Sequence, residues 1–73
     1  MTRSEIVEAL ADILETEAKD IADAAKLDEF EAWDSVAILS VVSLYTDITG
    51  KFTHATDVMG KTTVGELIDF LMA

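Results

Sequence analysis

Of the residue types that carry covalent or acid–base chemistry, the chain offers few. It has one histidine, His54, no cysteine, and fifteen Asp plus Glu. A zinc site needs several His or Cys ligands, and thiolate catalysis needs a Cys beside a His, so neither assembles around a lone imidazole. His54 reads as a solvated loop residue. Eleven of the carboxylates, from Glu5 to Asp34, precede Ser35. That stretch looks exposed, with no pair evidently buried as acid–base catalysis requires. The three glycines are isolated, which excludes a phosphate-cradling loop. What remains is Asp34-Ser35, at the head of the run WDSVAILSVVSLY from Trp33 to Tyr45, uncharged after Asp34. Asp34 suits a helix N-cap, because its carboxylate accepts from first-turn amides and lies at the positive end of the helix dipole. Ser35 then presents an exposed hydroxyl at a helix N-terminus, a place hospitable to phosphate. Taken alone, the pair is also an ordinary helix start.

The elements that would position this pair are read from hydrophobic period and punctuation. Ile6, Leu10, Ile13 and Leu14 recur at helical spacing behind a capping box of Thr2 and Glu5, predicting a first helix over 3–15. From Thr16 to Trp33 the pattern weakens to the anchors Ile21, Leu27, Phe30 and Trp33. A long loop with one helical turn around 20–25 is expected, and loops of this length are commonly functional. A second helix over 35–49 follows. Ala37, Ile38, Leu39, Val41, Val42, Leu44, Tyr45 and Ile48 fill most of its circumference, leaving an outward stripe of Val36, Ser40, Ser43 and Asp47. Gly50 is placed to end it, Phe52 to point inward from the connection, and residues 57–59 to form a short third helix closed by Gly60. Thr63 and Glu66 make a second capping box before Val64, Leu67, Ile68 and Leu71, which mark the last helix. The expected fold is all-α, a small four-helix bundle with three long helices, a short third one, and a long loop between the first two.

Composition bounds the function. A chain of 73 residues is one small domain, residues 1–73, whose thin core leaves little room for a self-contained active site. The net charge of −10 repels phosphate backbones and anionic lipid, setting aside nucleic-acid and membrane roles. Without an apolar leader or spanning segment, a cytoplasmic monomer that is not itself an enzyme is expected.

On these residues the chain resembles the acyl carrier protein family, the phosphopantetheine-bearing carriers of fatty-acid, polyketide and related pathways. Asp34-Ser35-Val36, followed by Leu39, Val41, Val42 and Tyr45, is similar to the family's attachment motif. The likeness continues through the long loop, Gly50, the short third helix and TTVGELIDFL, Thr62 to Leu71. The resemblance implies that Ser35 is the tether for a covalent 4′-phosphopantetheine arm, installed from coenzyme A by a separate holo-synthase, a phosphopantetheinyl transferase. It implies that Asp34 caps the helix and meets that enzyme. Acyl-loading, acyl-transferring or condensing enzymes would be further partners, docking on Val36, Ala37, Ser40, Ser43, Asp47 and Asp57. An interior lined by Leu39, Val42, Phe52 and Leu67 would shelter an acyl chain.

The departures from the family pattern matter too. Family members are usually acidic two, five and eleven positions past the serine, where Ala37, Ser40 and Thr46 stand here. Val36 replaces the usual leucine, and a region containing Trp33 replaces the usual glycine. These differences point to a stand-alone carrier in specialised lipid, surface-polysaccharide or secondary-metabolite assembly. A peptidyl or aminoacyl carrier, including a D-alanyl carrier, stays open, as does an unmodified acidic interaction domain.

Overall fold

The computed structural model describes residues 2–72. Its helices are α1 (Arg3–Ile13), α2 (Ser35–Thr49), α3 (Ala55–Met59) and α4 (Val64–Met72), with single 3-10 turns at Ala18–Asp20 and Leu27–Glu29. The fold is all-α. Among the described residues the one β-type pairing is an isolated bridge between Lys26 and Thr63.

Local chemistry sets the helix ends. At α1 the Glu5 amide donates to Thr2 Oγ1 at 3.2 Å and the Thr2 amide donates to the Glu5 carboxylate at 3.0 Å. At α4 the same reciprocal arrangement joins Thr63 and Glu66, at 3.2 and 3.1 Å. These bonds occupy N–H groups that the first turn of a helix otherwise leaves unpaired. α1 stops at Ile13, short of the expected residue 15. Glu15 turns left-handed there with φ 55°, while the Thr16 amide reaches back to Ala11 O at 2.9 Å. α2 ends at Gly50, φ 72°, where a glycine carries no Cβ penalty.

Around residues 20–25 the segment between α1 and α2 turns, though not as a full helical turn: the 3-10 turn ends at Asp20 and a tight turn follows. Its two 3-10 turns lie to either side of a hydrogen-bonded turn over 22–25, in which the Ala25 amide donates to Ala22 O at 3.0 Å, and residues 23–27 meet the start of α4. The amides of Leu27, Val64 and Gly65 donate to Thr62 O, Ala25 O and Asp23 O respectively, each at 2.9 Å. These bonds satisfy backbone groups that a long irregular segment would otherwise have to leave to water. Arg3 adds an exposed ion pair with Asp23 at 2.6 Å. Such surface pairs contribute little, so the backbone bonds are the main fastening.

The core collects Ile6 and Leu10 from α1, Leu27 from the loop, Val41 from α2, Val58 from α3, and Val64, Leu67, Ile68 and Leu71 from α4, all fully buried. Ile21, Phe30 and Trp33 pack partly buried against it. α2 borders α1, α3 and α4, in keeping with its long apolar run. Two interior assignments fail. Leu39 is 60 % exposed and Phe52 91 % exposed. At about 100° per residue Leu39 falls on the same arc as Val36 and Ser43, which no neighbouring helix covers. Phe52 lies in the irregular connection after Gly50, outside the packed helices. Leu39 and Phe52 therefore do not line the interior, whereas Leu67 is buried in it and Val42 packs against it.

Two consequences can be measured. A Cβ at Gly65 would sit 3.0 Å from Asp23 O and 3.3 Å from Asp23 Cβ, tight enough that the hydrogen-bonded loop backbone would have to give by a few tenths of an ångström. Gly65→Ala should therefore lower stability by about 1–3 kcal/mol, the usual range for overpacking, despite the better helix propensity of Ala. A urea midpoint equal to or above that of the wild type would show that the loop does not lie so close. The Glu5 carboxyl is held below its ordinary value of 4.5 by the Thr2 amide, then by the Thr2 hydroxyl. A group whose folded pKa is depressed stabilises the fold above its unfolded pKa and loses that effect as pH falls through the folded one. The melting temperature of Glu5→Gln should thus lie below that of the wild type at neutral pH. The gap should close as pH drops below 4.5, and a gap constant across that range would remove Glu5 from the cap.

Candidate functional site

The site is assembled from the end of the loop forward. Leu27 is locked in the core, the Phe30 amide closes a 3-10 turn onto Leu27 O at 3.1 Å, and the Trp33 amide donates to Phe30 O at 3.0 Å. Trp33 packs on the core, fixing where the chain enters α2. Asp34 then takes an extended conformation, φ −129°, ψ −170°, and its Oδ1 accepts from the Ala37 amide at 3.0 Å. Its carbonyl accepts from the Ile38 amide at 3.0 Å. Asp34 is the N-cap that its residue type and place in the chain indicate.

Ser35 is the first residue of α2 and is exposed. It opens on a groove of about 370 Å³ between α2 and α3, lined by Asp34, Ser35, Ile38, Leu39, Ala55 and Met59. Four of the six side chains are apolar, so this groove joins a nucleophilic oxygen to an oily wall. A second groove, about 470 Å³, lies toward α1 and includes Ile13, Asp34, Val36 and Ser40. A wider depression of about 610 Å³ on α1 and the first 3-10 turn, with Glu8, Asp12, Glu17 and Lys19 among its walls, is shallow, charged and away from Ser35.

The other expected contact residues divide. Val36, at 68 % exposure, faces outward with the exposed Ser43 and Asp47. Ser40 is only partly exposed and its hydroxyl donates to Val36 O at 3.0 Å, so this hydroxyl is used within the helix. Ala37 is a correction: it is 4 % exposed, turned inward beneath the cap at the floor of the groove toward α1, and leaves little surface for a partner. Asp57 is exposed, with its carboxylate accepting from the Thr53 hydroxyl at 3.1 Å and the His54 amide at 3.4 Å. It secures the entry to α3 where a docking contact was expected. His54 is the exposed N-cap position of α3.

Sequence reasoning missed Ala55 and Met59 as neighbours of Ser35, and placed Leu39 inside. A short helix returning along α2 is a tertiary fact with no local motif. Its one available signal was Gly50, whose left-handed conformation ends α2 and lets the chain change direction. Among the described residues no helix is long and apolar enough to cross a membrane, and no three His, Cys, Asp or Glu side chains are grouped so as to hold a metal ion.

Comparison of the chain with protein-family models, curated proteins and solved structures finds no match, so the site is read from its own geometry. That geometry makes Asp34 a structural cap as well as a neighbour of Ser35. Asp34→Ala should cost about 0.5–2 kcal/mol and Asp34→Asn only a small part of that, since Asn caps comparably. Equal urea midpoints for wild type and the Ala variant would mean that the carboxylate does not hold α2.

Proposed function

We propose that the chain is an acyl carrier protein, a small four-helix bundle bearing a 4′-phosphopantetheine arm on Ser35. One observation carries the reading. An exposed serine hydroxyl stands at the head of the longest helix, beside an acidic cap and at the edge of an apolar groove. The chain order supports it: a long fastened loop, then Asp34-Ser35, then a short α3 and an amphipathic α4, the order in the family that the sequence resembles.

The chemistry asked of this chain is modest. Ser35 Oγ would displace the adenosine bisphosphate portion of coenzyme A and lose its proton, forming a phosphodiester, with catalysis supplied by the holo-synthase. Asp34 would hold α2 so that Ser35 remains the first helical residue. The amides of that first turn favour a phosphate ester nearby. Ile38, Leu39, Ala55 and Met59 offer the apolar surface on which the proximal part of an arm could lie. The arm supplies the thiol that the chain lacks, carrying cargo as a thioester. Such a protein is a substrate for fatty-acid- or polyketide-like enzymes, or for specialised lipid or surface-polysaccharide enzymes, and performs no turnover itself.

Co-expression with a broad-specificity phosphopantetheinyl transferase tests this. Intact mass should rise by one phosphopantetheinyl group in the wild type and not at all in Ser35→Ala. The Ala variant should stay within about 1 kcal/mol of wild-type stability, because an exposed first-turn side chain has little packing to lose. A wild type that gains no mass, or an Ala variant that does, overturns the reading. An unmodified acidic interaction domain would then take its place. If modification succeeds, loading by an amino-acid-activating enzyme in preference to an acyl-activating one would make the chain an aminoacyl carrier.

A further inference from the structure

We infer that the arm on Ser35 rests folded across Met59, its dimethyl portion in the groove between α2 and α3 and its distal half in a second pocket beside Trp33; the inference rests on the carrier reading. That pocket, about 240 Å³ between the loop and the link from α3 to α4, is lined by Leu27, Asp28, Trp33, Met59, Lys61 and Thr62. Met59 also walls the groove that Ser35 opens on. The two hollows therefore adjoin at one side chain. It is 61 % exposed and an unbranched thioether, the kind of group that repacks to suit what lies against it.

The polarity of the two hollows follows the polarity of the arm. From its phosphate outward, phosphopantetheine presents a dimethyl-substituted carbon, a hydroxyl, an amide, a pair of methylenes, a second amide and a thiol. The phosphate belongs at the head of α2, where first-turn amides favour it. Beside it, Ile38, Leu39, Ala55 and Met59 give the dimethyl carbon an apolar wall. Beyond Met59 the lining is mixed. Leu27 and Trp33 supply apolar surface, while the Asp28 carboxylate can accept from an amide N–H and the Thr62 hydroxyl can donate to an amide carbonyl. The Thr62 main chain is committed, its amide to Glu66 at 3.2 Å and its carbonyl to the Leu27 amide at 2.9 Å, which leaves the hydroxyl. The Lys61 ammonium sits over the Phe70 ring, 4.9 Å from the centroid, so Asp28 and Thr62 are the polar side chains left to the pocket. A few placed polar groups in a largely apolar hollow are what a small-molecule site requires. Size agrees, because at ~30 Å³ per water-sized group the pocket holds roughly eight such groups, about the number of heavy atoms in the β-alanyl and cysteamine half of the arm. Folded this way, the thiol stays against the protein until an enzyme draws the arm out.

Trp33 is the only tryptophan of the chain, so its fluorescence reports on this pocket. The full chain is compared before and after modification by a broad-specificity phosphopantetheinyl transferase. Its acrylamide quenching constant should fall about twofold on modification, and isotope-filtered NMR of the modified protein should show contacts from the β-alanyl and cysteamine methylenes to the Trp33 indole. Asp28→Ala with Thr62→Val, confirmed folded by circular dichroism, should still be modified but lose both signals. Asp28→Asn, which keeps an acceptor, should retain them. Equal quenching with and without the arm, or arm contacts confined to Ile38 and Leu39, overturns the inference and leaves the carrier reading intact. Signals that survive in the double variant overturn it as well, because the pocket would then not be holding the amide. A wild type that gains no mass instead removes the reading beneath it.

Discussion

Everything at the head of α2 depends on the backbone fastening between 23–27 and the start of α4. A segment of some twenty residues with eleven acids in and before it cannot be ordered by apolar contacts alone. Leu27 is its only fully buried side chain. The amides of Leu27, Val64 and Gly65 supply what the side chains do not, and the absence of a Cβ at Gly65 lets Asp23 approach closely enough to be held. With Leu27 anchored, the following turn brings Phe30 and Trp33 onto the core, and Trp33 fixes the point where Asp34 can cap α2. Ser35 is thus exposed yet rigidly placed, because the constraint runs through backbone bonds on the far side of the loop.

That arrangement separates two kinds of surface. The acids of α1 and the loop carry most of the net charge of −10, a field that repels phosphate backbones and anionic lipid. The groove that Ser35 opens on is walled by Ile38, Leu39, Ala55 and Met59, while Asp12 and Glu15 border the neighbouring groove toward α1. Its nearby carboxylates serve the helix ends, where an acid both accepts amide hydrogen bonds and complements the helix dipole. At Asp34 and Asp57 one carboxylate oxygen serves the helix start.

Much of this was legible in the sequence because it is local. The boxes at Thr2–Glu5 and Thr63–Glu66, the Asp34 cap, the left-handed Gly50 and the buried face of α4 each follow from a few adjacent residues whose side chains meet the backbone directly. What stayed hidden depends on residues far apart. The pairing of 23–27 with 62–65 is made by main-chain groups that every residue possesses, so no side chain announces it. Leu39 and Phe52 look like core by hydropathy, but hydropathy does not say how much of α2 its neighbours cover, and in a 73-residue chain they cover only part. Ala37 was assigned to a contact face by analogy with acidic carriers, whereas its place on the helix turns it inward. Met59 reaches Ser35 only because α3 doubles back along α2.

The central claim is that Ser35 is a tether. It is tested most directly on the protein isolated from the cells that make it, by intact-mass measurement followed by fragmentation that locates any added group. The expected result is a population heavier by a phosphopantetheinyl group, with or without cargo, and with the phosphodiester on Ser35. Recovery of the chain solely in unmodified form, from cells whose other phosphopantetheine carriers are loaded, would contradict the account and leave Asp34-Ser35 as no more than the start of a helix.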